Sequence, residues 1–161
     1  MVKLVNYGLV ATCLIGLSLS FYSYRIERAV EHDKDYVASC DFSENFSCSK
    51  AFKSKFGKGF GMIGNILGED SALNQPNSLF GILIYSFLAT IVLSDSRLVT
   101  KVALSIILLS NVASVYFGYI LIFILHDFCI VCVCIYVVNF VNLLLILKKI
   151  NNIDADKPKK H

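Results

Sequence analysis

Long uncharged apolar runs alternate with short polar stretches along the chain, and this pattern sets the expected architecture. No charged residue lies between Lys3 and Arg25, Asp70 and Asp95, Lys101 and His126, or Asp127 and Lys148. Each gap holds 20 or more residues, and about 20 apolar residues cross the bilayer hydrocarbon as an α-helix. The second gap opens with polar Asn74, Gln75, Pro76, Asn77 and Ser78, so its apolar part begins near Leu79. The pattern predicts an all-α membrane protein, a four-transmembrane-helix bundle in a single domain over 1–161. Spans are expected at about 4–24, 79–94, 102–125 and 128–147, with a cap loop at 25–78 and a tail at 148–161.

Composition agrees with that class. Hydrophobic residues make up 56% of the chain and charged residues 17%, with mean hydropathy +0.65; an ordinary soluble domain is less apolar. The first span lacks a clear small-x-small cleavage site before Arg25, so it reads as an uncleaved span and not a secretory signal. An even number of spans leaves both termini on one side. Lys3, Arg97, Lys101 and the lysines Lys148, Lys149, Lys157, Lys159 and Lys160 share that side, whereas the stretch 25–70 balances seven basic with eight acidic residues. The positive-inside rule therefore predicts cytoplasmic termini, with the cap loop and the start of the fourth helix across the membrane. The net charge of +3 comes from the tail and calls for no nucleic-acid partner. Lysines third and fifth from the end, Lys159 and Lys157, resemble an endoplasmic-reticulum retrieval signal; a basic membrane flank is the plainer reading.

Candidate chemistry concentrates in 126–136, His-Asp-Phe-Cys-Ile-Val-Cys-Val-Cys-Ile-Tyr. On a helix, Cys129, Cys132 and Tyr136 share a face at spacings of three and four. Asp127 can cap the helix start, where free N–H groups and the macrodipole favour a thiolate, the species that attacks disulfides and electrophiles. Isolated membrane cysteines are commonly small hydrophobes, but a Cys-x-x-Cys at a helix start points to redox or metal chemistry. Cys134 follows Cys132 by two residues, roughly 200° around the helix, and faces away. Cys13, in mid-span, is assigned to packing. Cys40 and Cys48 enclose seven residues in the cap loop and can form a disulfide there; taken alone, that pair reads as stabilising.

Five of the nine glycines fall within 57–68, a stretch that also holds Phe60, Met62, Ile63, Ile66 and Leu67. It reads as a segment lying in the membrane interface and holding the loop over the helix ends. Ser105, Ser110, Asn111 and Ser114 can hydrogen-bond between helices, and Asn139 and Asn142 continue the polar positions of the fourth span. The short turn at His126 and Asp127 makes the third and fourth helices antiparallel neighbours. No repeat, nucleotide loop or His/Asp/Glu cluster suited to a hydrolytic metal is evident.

Taken together, these residues carry a resemblance. The runs are Cys40-Asp41 with Ser47-Cys48-Ser49, Gly59-Phe60-Gly61, Leu67-Gly68 before Asp70-Ser71, and Leu73-Asn74-Gln75 with Asn77-Ser78. Asp127-Phe128-Cys129-Ile130-Val131-Cys132 with Tyr136 completes the set. Over essentially its whole length the chain resembles the vitamin K epoxide reductase family, in its short animal catalytic-subunit type rather than the longer paralogous form.

The resemblance implies a lipophilic quinone bound beneath the cap and reduction of vitamin K 2,3-epoxide to quinone and of quinone to hydroquinone. Cys132 is then the attacking thiolate and Cys129 resolves the adduct. Cys40 and Cys48 relay electrons from a lumenal thioredoxin-fold donor. Asn77 and Tyr136 hydrogen-bond the oxygenated ends of the naphthoquinone, and Phe52, Phe80 and the interfacial segment form apolar walls. It further implies no tightly bound cofactor, no metal, an endoplasmic-reticulum membrane location with the cap lumenal, and a functional link to gamma-glutamyl carboxylase. The family commonly has two threonines where this chain has Cys134 and Ile135, and a tryptophan where it has Phe56. These departures bear on warfarin-type inhibitor sensitivity and on quinone fit. Three other readings use the same residues: a quinone-coupled oxidase that makes disulfides, a structural four-span protein with a disulfide-braced loop, and soft-metal binding through Cys129, Cys132 and Cys134.

Overall fold

Cys13, Gly16, Ser20, Ser23 and Glu27 recur every three or four residues along the first helix, α1 (Val2–His32), and all are buried. Such a stripe of small and polar residues lets a neighbouring helix approach closely. The neighbour is α4 (Asn77–Ile91). A Cβ on Gly16 would stand 2.5 Å from the Tyr85 ring, and one on Gly81 would stand 2.6 Å from Ser20 Oγ.

The computed structural model describes residues 2–33, 35–41, 47–68 and 70–155. The cap between α1 and α4 contains the short helix α2 (Cys48–Lys53), a single turn at Gly59–Gly61 and the short helix α3 (Ile63–Leu67). Two long helices follow α4. The first is α5 (Arg97–Tyr119), which widens into a π-helical turn at Ile120–Ile124; the second is α6 (Ile130–Ala155). No strand occurs among the described residues, and Lys58 and Pro76 form an isolated antiparallel bridge. The retrieval-like lysines Lys157, Lys159 and Lys160 lie outside the described residues, as does 42–46 between the cap cysteines.

This is a helical membrane protein. Among the described residues, three helices are long and apolar enough to cross a bilayer, and α4 is a shorter apolar helix of 15 residues. Leu9, Cys13, Leu88, Ala103, Ile107 and Ile146 form the centre of the bundle core. The widened turn reverses the chain tightly. Leu125 N–H donates to the Ile120 carbonyl at 2.9 Å, Asp127 N–H donates to Leu121 at 3.1 Å, and His126 takes a positive φ of 50°.

Helices α1 and α6 run on beyond 24 and 147, to His32 and Ala155. Two charged side chains expected in water are therefore buried. Glu27 closes one end of α4. Lys149, expected in the basic tail, closes the other. It is fully buried, and its Nζ donates to the carbonyls of Val92 and Ser94 at 2.7 Å each. A lysine reaching the carbonyls at and just beyond the end of a neighbouring helix satisfies acceptors that the helix cannot satisfy itself. Lys149→Met should cost roughly 1–3 kcal/mol, the usual penalty for orphaned buried acceptors. Thermal unfolding in detergent would read this as a lowered midpoint, with an unchanged midpoint excluding the role.

Candidate redox site

Helix α6 begins one residue after Cys129, so Cys129 occupies its N-cap position and Cys132 the third helical position. Cys132 N–H donates to Cys129 Sγ at 3.3 Å. The two sulfurs stand at disulfide distance, with Cα atoms 5.3 Å apart. Cys40 and Cys48 are likewise paired, with Cα atoms 6.0 Å apart. Both pairs share one buried cluster: Cys129 and Cys48 are fully buried and pack with Cys40, Ile26, Leu121 and Val131, with Cys132 at its edge.

Asp127 does something other than cap α6. Its Oδ1 accepts from Phe128 N–H at 2.9 Å and from Ser47 N–H at 3.1 Å. The carboxylate thus ties the residue before Cys48 to the turn before Cys129. Ser47 in turn caps α2, its hydroxyl accepting from Lys50 N–H at 3.1 Å. Asp41 completes the clasp by accepting from Ala38 and Ser49 N–H groups at 3.0 Å each. Burial alone would raise the Asp41 carboxyl, but the hydrogen bonds from Ser49, Ala38 and Ser47 hold it below its ordinary value.

Beneath the cap lies an apolar cavity of about 250 Å³. Cys132, Tyr136, Asn77, Phe52 and Phe80 all line it; Cys129 does not. Only one sulfur of the α6 pair therefore faces the cavity, and the other lies on the side of the cap cysteines. Cys134 is exposed on the outer face of α6, and Cys13 is buried in the bundle core away from the site.

The cap is fastened over the cavity through Asn77. Its Oδ1 accepts from Phe60 N–H at 2.9 Å and its Nδ2 donates to the Phe56 carbonyl at 2.5 Å. Backbone bonds from Gly59 to Gln75 and from Asn77 to Gly57, each 2.9 Å, complete the fastening. One of the two Nδ2 hydrogens is thereby used. Phe60 has a positive φ of 57°, and its ring packs over Phe80 and Phe117, with centroids at 5.2 and 5.9 Å. Met62, Ile66 and Leu67 in the same segment are exposed. At the deep end, Tyr85 donates to Asn139 Oδ1 at 2.7 Å, and Asn139 Nδ2 donates to Ser114 Oγ at 2.8 Å.

Glu27 also lines the cavity, and the pattern of the sequence does not single it out. It sits among Arg25, Arg28 and Glu31, which read as a helix leaving the bilayer. The available signal is its spacing of seven from Ser20 and four from Ser23, which continues the buried stripe. Glu27 is 5% exposed; its Oε2 accepts from the Ser78 hydroxyl, and its Oε1 is buried with no partner among the described residues. Burial pushes its carboxyl up to about 7, against the opposing hydrogen bonds from Ser78; Glu31 adds to the rise and Lys58 opposes it.

The sequence matches the profile of the Vitamin K epoxide reductase family over residues 8–147. It is 41% identical over 151 residues to "Vitamin K epoxide reductase complex subunit 1" of Mus musculus, covering 94% of this chain and 92% of that one. It is 38% identical over 148 residues to the Rattus norvegicus protein of the same name, covering 92% of each. The chain belongs to the vitamin K epoxide reductase family.

Proposed function

We propose that this protein reduces vitamin K 2,3-epoxide to the quinone, and the quinone to hydroquinone, at the expense of the Cys129–Cys132 dithiol. The carrying observation is the division of labour between the two sulfurs. Cys132 faces an apolar cavity suited to a lipophilic naphthoquinone, and Cys129 lies behind it in the cluster that holds Cys40 and Cys48.

In this reading the Cys132 thiolate attacks an epoxide carbon: a C–S bond forms and a C–O bond breaks. The Cys129 sulfur then attacks Cys132. The S–S bond forms, the C–S pair closes the ring double bond, and the hydroxyl leaves as water. Two thiols supply two electrons and two protons, so the step balances. Tyr136 and the remaining N–H of Asn77 bind the oxygenated ends of the substrate, and Phe52, Phe80 and Phe60 form its walls. A warfarin-type inhibitor would occupy the same space. Of the three departing positions, Phe56 and Ile135 line the cavity and Cys134 does not.

Membranes containing the chain, given vitamin K epoxide and dithiothreitol, should form vitamin K quinone in a time-dependent manner, read by chromatography. No product from folded protein would overturn the reading.

The cap pair supplies the electrons. Cys40 and Cys48 take them from a thioredoxin-fold donor in the endoplasmic-reticulum lumen, with both termini cytosolic, and pass them to Cys129 through a mixed disulfide. Cys48 follows directly on Ser47, which Asp127 holds, so Cys48 is the sulfur that meets Cys129. Cys40→Ala should therefore accumulate a Cys48–Cys129 disulfide, visible by peptide mapping of thiol-blocked protein. A free Cys48 thiol in that variant, with undiminished use of a protein donor, would return the pair to a bracing role.

A further inference from the structure

Five buried side-chain atoms lack hydrogen-bond partners among the described residues: Asn6 Oδ1, Glu27 Oε1, Asp127 Oδ2, Asn142 Nδ2 and Asn152 Nδ2. Of these five residues, only Glu27 lines the cavity beneath the cap. Asn6, Asn142 and Asn152 belong to the opposite half of the bundle, and Asp127 belongs to the turn that ties down Ser47. A buried polar atom without a partner costs free energy, and the residue that carries this one lines a space with room for a ligand.

We infer that Glu27 is the proton donor of this cavity, passing a proton from Oε1 to the substrate oxygen released when Cys132 attacks. The inference rests on the reductase reading above and adds a residue to it. Three observations support it. Ser78 fixes one carboxyl oxygen, which leaves the other free for substrate. Ser78 also adjoins Asn77, so the carboxyl sits at the end of the cavity where the cap is fastened. Finally, burial lifts the carboxyl well above the ordinary carboxylate range, so it can hold a proton to give up and recover.

The proton accounting closes. When Cys132 opens the epoxide, the alkoxide oxygen takes the Glu27 proton. The carboxylate is reprotonated, and a second proton leaves with the hydroxyl as water when Cys129 closes the disulfide. The two protons delivered equal the two lost by the thiols, so Glu27 ends as it began. For the quinone, the same carboxyl serves one carbonyl oxygen in place of the epoxide oxygen. Glu31 and Lys58, paired with each other and partly exposed, lie on the water side of Glu27 and offer the route for its reprotonation.

The groups able to perturb this carboxyl are few. Its own helix brings Glu31, which also pairs with Arg28, and the cap segment brings Lys58. From α4 come Ser78 and Tyr85, and from α6 come Cys132 and Tyr136. The residues of α2 and α5 that line the cavity include no titratable side chain. The alternative role for Glu27 is only to close the first turn of α4. Glutamine would serve that role equally well.

The test is single-turnover reduction of vitamin K epoxide by pre-reduced protein, freed of reductant, across a pH series. The intact chain should show a rate that falls above neutrality as Glu27 loses its proton. Glu27→Gln should lower the neutral-pH rate by roughly a hundredfold or more and abolish the falling limb. Ser78→Ala removes a hydrogen bond that favours the carboxylate, so its limb should move to higher pH. Glu31→Gln removes a charge that raises the Glu27 carboxyl, so its limb should move to lower pH. If Glu27→Gln does not fold, the Ser78→Ala shift decides. A wild-type rate and profile in Glu27→Gln, or an unmoved limb in Ser78→Ala, would overturn the inference. No reduction by the intact chain at any pH would instead overturn the reductase reading.

Discussion

Replacing Cys132 by alanine is expected to reduce epoxide turnover to the level of membranes lacking the protein. Cys132 is the sulfur of the α6 pair that lines the cavity, and without it no bond to the substrate can form. Cys129→Ala should fail as completely but later, because a lone thiol can open the epoxide yet cannot close a disulfide. Cys134→Ala and Cys13→Ala should retain turnover. The first side chain is exposed on the outer face of α6, and the second is buried in the bundle core. Loss of turnover in folded Cys134→Ala would move the chemistry to the other face of the helix. The same loss would reopen the soft-metal reading, since Cys134 was its third ligand.

The second large effect is expected at Asn77, which serves two purposes at once. Its amide fastens Phe56 and Phe60 over the cavity and keeps one N–H for the substrate oxygen. Losing a preorganised donor to developing negative charge costs about 2.7–4 kcal/mol, or about 10²–10³ in rate. Asn77→Ala should lose at least that much, and the loosened cap adds to it. Asn77→Asp keeps the acceptor for Phe60 N–H but loses both donations, to the Phe56 carbonyl and to the substrate. A rate as low as that of Asn77→Ala assigns the loss to the missing donations; near-normal turnover would remove Asn77 from the substrate's contacts. Tyr136→Phe should also lower activity or change the product, since the phenol lies on the cavity face of α6 with Cys132.

Much of this arrangement was legible because membranes impose simple rules on sequence. A stretch that must lie in hydrocarbon cannot carry charge, so the charge gaps marked the apolar centres of the helices. The helices themselves run further, to His32 and Ala155. Lys149 looked like part of a solvated tail, yet it is buried where the carbonyls of Val92 and Ser94 need a donor. Glu27 misled in the same way, since its hydrogen-bond partner, Ser78, is 51 residues away.

The cysteine pair was legible because a spacing of three on a helix has one geometric consequence. Asp127 was not, because N-capping is inferred from neighbours along the chain. Here Ser47, 80 residues upstream, takes up the carboxylate that the helix start was expected to use. The fastening role of Asn77 was hidden for a related reason. Its partners are main-chain atoms of Phe56 and Phe60, brought to it by a left-handed turn at Gly59–Gly61 whose glycines permit the turn without naming its partner.

The central claim is that Cys132 forms a covalent bond to the substrate and Cys129 releases it. The most direct measurement is peptide mass analysis of pre-reduced Cys129→Ala protein after incubation with vitamin K epoxide. The account predicts an adduct of one substrate molecule on the peptide containing Cys132, with Cys134 unmodified. That adduct should be absent from the intact chain, in which Cys129 and Cys132 are instead recovered as a disulfide. Substrate attached to Cys134, or quinone released by Cys129→Ala at the rate of the intact chain, would contradict the account.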